Sequence, residues 1–306
     1  MRILVTGATG FIGSQTVKSL IQWGHQVAAL SRNPAPQSLD EAGQITHLQG
    51  SLAQAPWDAI KSFAPDTCLH SAWITTPGIY LDSEENDILV SDSLNFLKQM
   101  EQLGVNRFVA LGTCIEYDLS GGNPLQEKRT KIDPSHRYSK AKAQLHEQLR
   151  QTLSPDSTLT WARIFYPYGS GEAPERLSSL LIKKACAGEA MELKQPENTL
   201  DYIHISDIAS ALTTVLEASP GGSINIGTGT GISVLTLAEE ICDLMDCSKL
   251  IYFPKTDFLN DPVSIIADSS TLRSLGWKPE TSLKKGLEDL ITKLCPELLN
   301  AKTPTS

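Results

Sequence analysis

A tyrosine and a lysine four residues apart, Tyr138 and Lys142, are the residues in this sequence whose types and spacing best suit proton transfer. On a helix this spacing places both side chains on one face. A phenol with a pKa of about 10 is a poor acid–base group at neutral pH, but a nearby ammonium stabilises the phenolate. The same spacing also occurs in ordinary surface helices, so the inference depends on the surrounding residues.

A hydroxyl residue, Thr113, precedes Tyr138 by 25 residues and follows an apolar run at 107–111 that predicts a strand. Side chains at the carboxyl ends of parallel strands face the crevice in which ligands bind. We therefore expect Thr113 to hydrogen-bond the same substrate oxygen as Tyr138. The neighbouring Cys114 has no histidine within 15 residues to activate it, which favours a buried packing thiol over a nucleophile.

A glycine-rich segment, Gly7-Ala8-Thr9-Gly10-Phe11-Ile12-Gly13, lies between a predicted strand and an amphipathic helical pattern. This spacing, between the first strand and the first helix, is typical of backbone amides that bind a pyrophosphate at a helix N-terminus. A side chain at Gly7 or Gly10 would keep the anion away, and Gly13 lets helix and strand pack closely. The segment therefore predicts dinucleotide contacts from Gly7, Thr9, Gly10, Phe11, Ile12 and Gly13.

The end of the second predicted strand distinguishes between the two nicotinamide dinucleotides. An acidic residue there would bind the ribose 2′-hydroxyl of NAD, but this chain has Ser31-Arg32-Asn33. Neutral Ser31 leaves room for a 2′-phosphate, with which Arg32 could pair in bidentate fashion. A solvated arginine in a surface turn is the alternative. The sequence favours NADP as cofactor, with NAD possible.

Alternating strands and helices in the first half of the chain must position these residues. Apolar runs predict strands at 3–6, 26–30, 45–48, 67–70, 107–111 and 159–164. Helical patterns lie between them, including a long one at about 82–103 and another at 134–151. This alternation predicts an α/β fold of the Rossmann type, with a doubly wound parallel sheet.

After Phe165 glycines and prolines cluster and helical periodicity predominates. We expect a dinucleotide-binding Rossmann domain at 1–165, to which about 201–226 returns. A smaller, mostly helical C-terminal substrate domain is expected at 166–200 and 227–306.

Composition excludes several classes of protein. The chain has 306 residues, of which 41% are hydrophobic, and a net charge of −9, so it lacks the excess positive charge that meets phosphates. The six cysteines form no CxxC pair, and no run approaches the 18 apolar residues of a spanning helix. We expect a cytoplasmic protein with reduced thiols, no metal site, and neither nucleic acid nor membrane as partner.

With these features the chain resembles the extended short-chain dehydrogenase/reductases, specifically the NAD(P)-dependent epimerase/dehydratase family that acts on nucleotide sugars. The likeness covers nearly the whole chain, from 6–13 through Arg163-Ile164-Phe165 and 201–207 to Leu275-Gly276-Trp277-Lys278-Pro279. It implies that Thr113, Tyr138 and Lys142 form the catalytic triad.

The resemblance implies further site residues and a partner. Additional cofactor contacts are expected from Ser51, Leu52, Ser71, Ala72, Trp73, Leu111, Ile164 and Phe165, together with Tyr138 and Lys142. Substrate contacts are expected from Thr75, Cys114, Ile115, Tyr166 and Arg176. A homodimer is expected through the long helix and the Tyr–Lys helix, with extra apolar surface from Ile88, Leu89, Leu94, Phe96 and Leu97.

Departures from the family pattern limit the reactions that the chain could catalyse. Cys114 and Ile115 stand where sugar-nucleotide 4,6-dehydratases carry an Asp–Glu pair, so dehydration is rejected. Tyr166 and Leu200 stand where many epimerases have Asn and Arg, and Ser51 replaces an Asp near the adenine. These differences leave the identity of the sugar and of the base open.

The function expected from the sequence is reduction of a keto group of a nucleotide sugar by NADPH. Tyr138 would donate the proton, Thr113 would polarise the oxygen, and Lys142 would lower the tyrosine pKa while holding the ribose. One alternative is an epimerase with tightly bound NAD, and another is a non-catalytic dinucleotide-binding sensor or scaffold. Glu116 and Tyr117 either reach the substrate or pack the loop.

Overall fold

The computed structural model describes residues 1–34, 39, 43–252 and 262–297. Its strands are β1 (Arg2–Thr6), β2 (Gln26–Ser31), β3 (Ile45–Gln49), β4 (Thr67–His70), β5 (Arg107–Thr113), β6 (Thr158–Ile164), β7 (Tyr166–Tyr168), β8 (Met191–Glu192), β9 (Thr199–Leu200), β10 (Tyr202–His204), β11 (Gly222–Ile226), β12 (Ile232–Ser233), β13 (Ile251–Tyr252) and β14 (Ser264–Ile265). Its α-helices are α1 (Phe11–Gln22), α2 (Trp57–Phe63), α3 (Glu85–Gln102), α4 (Arg137–Thr152), α5 (Leu177–Ala187), α6 (Ile205–Ala218), α7 (Val234–Met245), α8 (Ser270–Ser274) and α9 (Leu283–Leu294).

Seven parallel strands form the central sheet, in the spatial order β11-β6-β5-β4-β1-β2-β3. The order reverses between β1 and β4, which is where a doubly wound sheet opens a crevice at the carboxyl ends of its strands. The predicted Rossmann-type α/β fold is thus confirmed. Strand β5 runs two residues further than the apolar run and ends at Thr113 itself.

Helices cover both faces of the sheet. On one face α1 packs against α6, and on the other α3 packs against α4. Helix α3, the long helix predicted from the sequence, covers the second of these faces. Its residues Phe96 and Leu97 are fully buried against the chain's own core. The expectation that these two residues add surface for a partner is therefore wrong, whereas Ile88 of α3 is 58% exposed.

The segment after β6 leaves the central sheet and returns to it with a single strand. Strand β10 pairs with β7 in a separate two-stranded sheet, so among the described strands after β6 only β11 joins the other six of the central sheet, along the edge formed by β6. Beyond them α5, α7 and α9 share an apolar core of their own. Short strands accompany these helices, which the helical periodicity did not predict.

Two buried carboxylates tie the chain together around α6. Asp201 is fully buried and accepts hydrogen bonds from the backbone amides of Thr228, Gly229 and Ala267, at 2.8–3.1 Å, and from the Thr228 hydroxyl. Asp207 accepts from the backbone amides of Glu280 and Thr281, each at 3.1 Å. Asp201 and Asp207 belong to the 201–207 segment of the family resemblance, yet both bond structural backbone amides and neither lines the crevice.

One pair of cysteines differs in oxidation state from the expectation. Cys186 of α5 and Cys295, just after α9, form a disulfide with a Cα–Cα distance of 6.6 Å. The expectation of six reduced thiols is therefore wrong for these two, which lie 109 residues apart and give no local signal of pairing. Cys68, Cys114, Cys242 and Cys247 are free.

Candidate active site

One cavity of about 880 Å³ opens at the carboxyl edge of the central sheet. The structure brings to it every residue expected to contact cofactor or substrate or to take part in catalysis. These lining residues are Gly7, Thr9, Gly10, Phe11, Ile12, Gly13, Ser31, Arg32, Ser51, Leu52, Ser71, Ala72, Trp73, Thr75, Leu111, Thr113, Cys114, Ile115, Tyr138, Lys142, Ile164, Phe165, Tyr166 and Arg176.

The glycine-rich loop leads into a helix start, at α1, that no side chain caps. Gly10 is the N-cap, and neither a side-chain cap nor an acidic residue occupies the first turn, which leaves its amides free for an anion. Gly7 has a φ of +64°, and a Cβ there would lie 2.8 Å from the Ala72 backbone. Gly7 is therefore needed for contact with the segment after β4 as well as for the approach of an anion. A Cβ on Gly13 would overlap the Gly7 carbonyl oxygen, as close packing of helix and strand requires.

A buried polar cluster holds the segment after β4 against this loop. The His70 imidazole lies 2.9 Å from the hydroxyls of both Thr6 and Ser93, and the Thr6 hydroxyl accepts from the amides of Ser71 and Ala72 at 3.2 Å. Burial and the charge of Lys142 lower the pKa of His70 to about 3. His70 is thus a neutral structural residue.

Lys142 lies in the cavity floor, where it is 2% exposed. Its Nζ donates to the Leu111 carbonyl at 2.7 Å and lies 3.9 Å from the centroid of the Trp73 ring. The indole is held by a 2.8 Å hydrogen bond from its Nε1 to the Asn86 side chain. Burial lowers the pKa of Lys142 to about 7, and the Glu116 carboxylate opposes this shift. The Leu111 carbonyl and the Trp73 ring also favour the charged ammonium.

Tyr138 lies in the first turn of α4, on the same side as Lys142. Its amide donates to the Leu81 carbonyl at 2.9 Å, and its ring makes an edge contact with Tyr80 at 5.0 Å. Burial raises the pKa of the Tyr138 phenol in the ligand-free protein, Tyr80 and Glu116 add to this, and the Arg176 guanidinium opposes it. Ionisation of Tyr138 therefore needs further positive charge at the site.

Tyr80 is one of the cavity residues that sequence reasoning missed. It lies in a segment of turns before α3, outside any periodic pattern, and its ring supports both Tyr138 and the Arg176 guanidinium, which lies 5.6 Å from the ring centroid. Such a contact depends on the tertiary fold.

The part of the cavity beside the ends of β2 and β3 carries the residues expected to select the dinucleotide. The Ser31 hydroxyl donates to the Asn33 carbonyl at 2.6 Å, and the Ser51 hydroxyl accepts from the Gln54 amide at 3.0 Å. The Arg32 guanidinium is exposed and makes no hydrogen bond or ion pair within the part of the chain that the structure describes.

The opposite end of the cavity holds the residues expected to contact substrate. Burial raises the pKa of the Cys114 thiol, which makes it a poor nucleophile. Tyr166 is half-buried beside it, and the exposed Thr75 lies at the rim. Glu172 accepts from the Ser178 hydroxyl and the Ser179 amide at 2.6 and 2.8 Å, so it caps α5 and leaves the guanidinium of Arg176 free within the described residues.

Across 1–34, 39, 43–252 and 262–297, no helix is long and apolar enough to cross a membrane. In those ranges no group of three or more His, Cys, Asp or Glu side chains could hold a metal ion.

The doubly wound sheet, the uncapped glycine loop and the Thr–Tyr–Lys cluster together define an extended short-chain dehydrogenase/reductase fold. The model of the NAD dependent epimerase/dehydratase family matches residues 3–227. The chain belongs to this family.

Curated relatives align along nearly their whole length. UDP-glucose 4-epimerase of Neisseria meningitidis serogroup B is 28% identical over 330 residues, covering 94% of this chain and 95% of the relative. UDP-glucose 4-epimerase of Bacillus subtilis is 26% identical over 328 residues, covering 95% and 94%.

Solved structures agree with the fold. MoeE5 in complex with UDP-glucose and NAD superimposes with a TM-score of 0.77 at 27% identity, covering 94% of this chain and 97% of the other. A UDP-glucose 4-epimerase from Stenotrophomonas maltophila, solved with bound NAD and formylated UDP-arabinopyranose, gives a TM-score of 0.81 at 24% identity over 98% and 99%.

Proposed function

We propose that the protein is a nucleotide-sugar epimerase that inverts the C4 hydroxyl of a UDP-hexose with a bound nicotinamide dinucleotide. The observation that carries the proposal is that Thr113, Tyr138 and Lys142 line one cavity together with the uncapped start of α1. The curated relatives named UDP-glucose 4-epimerase support the choice of reaction and substrate. Dehydration is disfavoured because Cys114 and Ile115 offer no carboxylic acid.

The residues present fit a dinucleotide cofactor. The first-turn amides of α1 would hold its pyrophosphate, and Lys142 would hold the ribose next to the nicotinamide. When bound, the nicotinamide accepts a hydride from a carbinol carbon and returns it.

The side chains of this chain would supply the proton chemistry. Tyr138 would take the proton of the sugar hydroxyl and return it, and Thr113 would donate a hydrogen bond to the same oxygen. Charged Lys142 would favour the Tyr138 phenolate against the burial that raises the phenol pKa. Arg176 would meet the substrate diphosphate, since its guanidinium has only the Tyr80 ring as a partner within the described residues.

The test is to incubate the protein with UDP-glucose, UDP-galactose and their N-acetylamino counterparts and to follow the sugars by NMR. We expect interconversion of at least one pair with no net change in reduced cofactor. Net consumption of NADPH on a keto-sugar nucleotide without interconversion would instead identify the reductase. Cofactor binding without either reaction would identify a non-catalytic sensor or scaffold.

Reduction by NADPH remains the second candidate function, and Arg32 is the observation that favours it. NADPH is the usual consumed reductant, and a guanidinium that bonds none of the described residues, beside neutral Ser31, suits its 2′-phosphate. The 2′-phosphate belongs to the adenosine ribose, far from the nicotinamide. Cofactor preference and reaction type are therefore tested separately.

We predict that NADP(H) binds more tightly than NAD(H). A charge-assisted contact contributes about 1.5–3 kcal/mol, or about 10–150-fold in affinity. Arg32→Ala should remove most of the difference, and Ser31→Asp should reverse it, because a carboxylate binds the 2′-hydroxyl and repels the phosphate. Calorimetric titration of both cofactors measures this, and tighter binding of NAD(H) by the wild type would contradict it.

We also predict a homodimer built on α3 and α4, as the family resemblance implies. Ile88 leaves 58% of its surface exposed on α3. Sedimentation should find a dimer at micromolar concentration, and Ile88→Asp should shift it to monomer because a charge would be buried in the interface. Trp23→Asp is the matched control, since Trp23 is 57% exposed just beyond α1. A wild-type monomer would refute the interface.

The assignment of separate binding roles to two parts of the chain is likewise a proposal. Residues 1–165 with about 201–226 would bind the dinucleotide, and 166–200 with 227–306 would bind the sugar nucleotide. A cytoplasmic location stays a prediction from the sequence.

A further inference from the structure

Glu116 carries a carboxylate that is completely buried directly behind the cavity residue Thr113. Its Oε1 accepts a hydrogen bond from the Thr113 amide at 2.8 Å. Its Oε2 accepts from Trp161 Nε1 at 3.0 Å and from Arg163 Nε at 2.8 Å. An ionised carboxylate is costly to bury, so its retention here needs all of these partners.

The partners of Glu116 are themselves fixed. The Arg163 side chain is 3% exposed, and its Nη1 donates to the Tyr117 hydroxyl at 3.2 Å. That hydroxyl donates to the Asn225 side-chain oxygen at 2.8 Å, so the network joins the ends of β5, β6 and β11. A network with every member bonded is rigid, because moving one group leaves another buried and unpaired.

The same residue also governs the Thr113 side chain. Thr113 and Glu116 form a capping box, in which the Glu116 carboxylate accepts from the Thr113 amide and the Glu116 amide faces the Thr113 hydroxyl. A hydroxyl has one proton to donate, and the interaction with the Glu116 amide uses only an acceptor position. The proton of Thr113 is therefore left for a further partner, the neighbouring Cys114 sulfur or a substrate oxygen in the cavity.

A glycine before Thr113 makes this arrangement possible. A Cβ on Gly112 would lie 2.6 Å from Glu116 Oε1 and would also overlap the Trp161 indole. Gly112, Thr113 and Glu116 therefore depend on one another. Because Gly112 has no side chain, the Glu116 carboxylate can reach the Thr113 amide. An ion pair that served only to hold the sheet would not need a bond to the Thr113 amide.

We propose that Glu116 is a positioning residue, whose buried carboxylate orients Thr113 so that its hydroxyl donates to the substrate oxygen on which Tyr138 acts. The effect on catalysis rests on the proposed epimerase function. Glu116 does not itself reach the cavity, and it acts through Thr113.

A double-mutant cycle tests the proposal with Glu116→Gln, Thr113→Ala and the double variant. The glutamine amide turns a donor toward Arg163 or Trp161 and removes the ion pair, which displaces Thr113. We expect Glu116→Gln to lower kcat by about 10- to 100-fold, because small misplacements near reacting atoms have effects of this size. Cofactor affinity should stay within about twofold, because none of the proposed cofactor contacts uses the Thr113 hydroxyl. KM should change less than kcat, because the hydrogen bond to the substrate oxygen strengthens as charge develops in the transition state.

The cycle separates positioning from general stability. If Glu116 acts through Thr113, the double variant should have the kcat of Thr113→Ala alone. Losses that multiply would overturn the proposal. Asp207→Asn is the matched control, since this carboxylate also accepts backbone amides but lies away from the cavity, and it should leave kcat unchanged.

A second variant serves if Glu116→Gln does not fold. Trp161→Phe keeps the carboxylate and its ion pair and removes one donor. It should lower kcat in the wild-type background and have no effect in the Thr113→Ala background, and equal effects in both backgrounds would overturn the proposal.

A measurement without substrate distinguishes failure of this proposal from failure of the proposed function. Wild-type protein that converts none of the UDP-sugars refutes the epimerase. NMR of protein labelled with [15N]threonine then still follows the Thr113 amide, which should shift and exchange faster in Glu116→Gln or, in its place, Trp161→Phe, but not in Asp207→Asn. An unchanged Thr113 amide would refute positioning by Glu116.

Discussion

Replacing Tyr138 by phenylalanine should lower kcat for epimerisation by about 10²–10⁴-fold, the usual effect of losing a general acid–base group. Cofactor affinity should change little, because the proposed pyrophosphate contacts are the amides at the start of α1 and not the Tyr138 hydroxyl. The phenylalanine ring keeps the edge contact with Tyr80, so the loss reports on the hydroxyl alone. Steady-state kinetics with calorimetric titration of the cofactor measures both quantities.

Tyr202→Phe is the matched control for this experiment. Tyr202 is 9% exposed, and its hydroxyl has no hydrogen-bond partner within the described residues. Removing that hydroxyl should leave kcat unchanged. Near wild-type turnover by Tyr138→Phe across several UDP-sugars would refute the assignment of Tyr138 as the proton-transfer residue.

Replacing Lys142 by methionine should weaken both the rate and cofactor binding. The loss of kcat should again be about 10²–10⁴-fold, because without the ammonium the buried Tyr138 stays protonated at neutral pH. Cofactor affinity should fall by about 10–150-fold, the equivalent of one charge-assisted hydrogen bond to the ribose. Methionine preserves the length and the apolar packing of the buried stem.

The pKa of Lys142 gives this prediction a pH signature. In the ligand-free protein burial lowers that pKa to about 7, so the amine loses its proton as the pH rises through this value. A cofactor that accepts hydrogen bonds from Nζ favours the ammonium. Binding above about pH 7 should therefore take up a proton, which calorimetry in two buffers of different ionisation enthalpy detects. Lys142→Met should abolish the uptake and the exposed Lys140→Met should not, and equal uptake in all three proteins would refute the assignment.

Features with a local sequence signal were predictable. The glycine loop lies directly between a strand and a helix, and the Tyr–Lys spacing describes a single helix face, so 7–13 and α4 follow from neighbouring residues. The carboxyl ends of parallel strands converge by geometry, which is why Thr113, Ser31 and Ile164 meet in one cavity.

Features that depend on distant segments were not predictable. Tyr80 lies in a segment of turns, and its place under Arg176 follows only from how the chain folds back. Glu116 sits three residues after Thr113, yet its partners Trp161 and Arg163 come from another strand. Leu97 carries an apolar side chain that suits a core or an interface equally well, and only the register of α3 on the sheet decides that it is buried.

The return of the chain to the central sheet with β11 has a consequence for dissection of the protein. A fragment that stops at residue 165 would lack β11 and α6, which cover the edge of β6 and the outer face of α1. That fragment would present the unpaired amides and carbonyls of a seven-residue strand and a bare apolar face, the features that lead to aggregation. The central sheet therefore cannot be excised by cutting the chain at residue 165, and a swap between relatives of the segments at 166–200 and 227–306 would have to be made as two separate insertions.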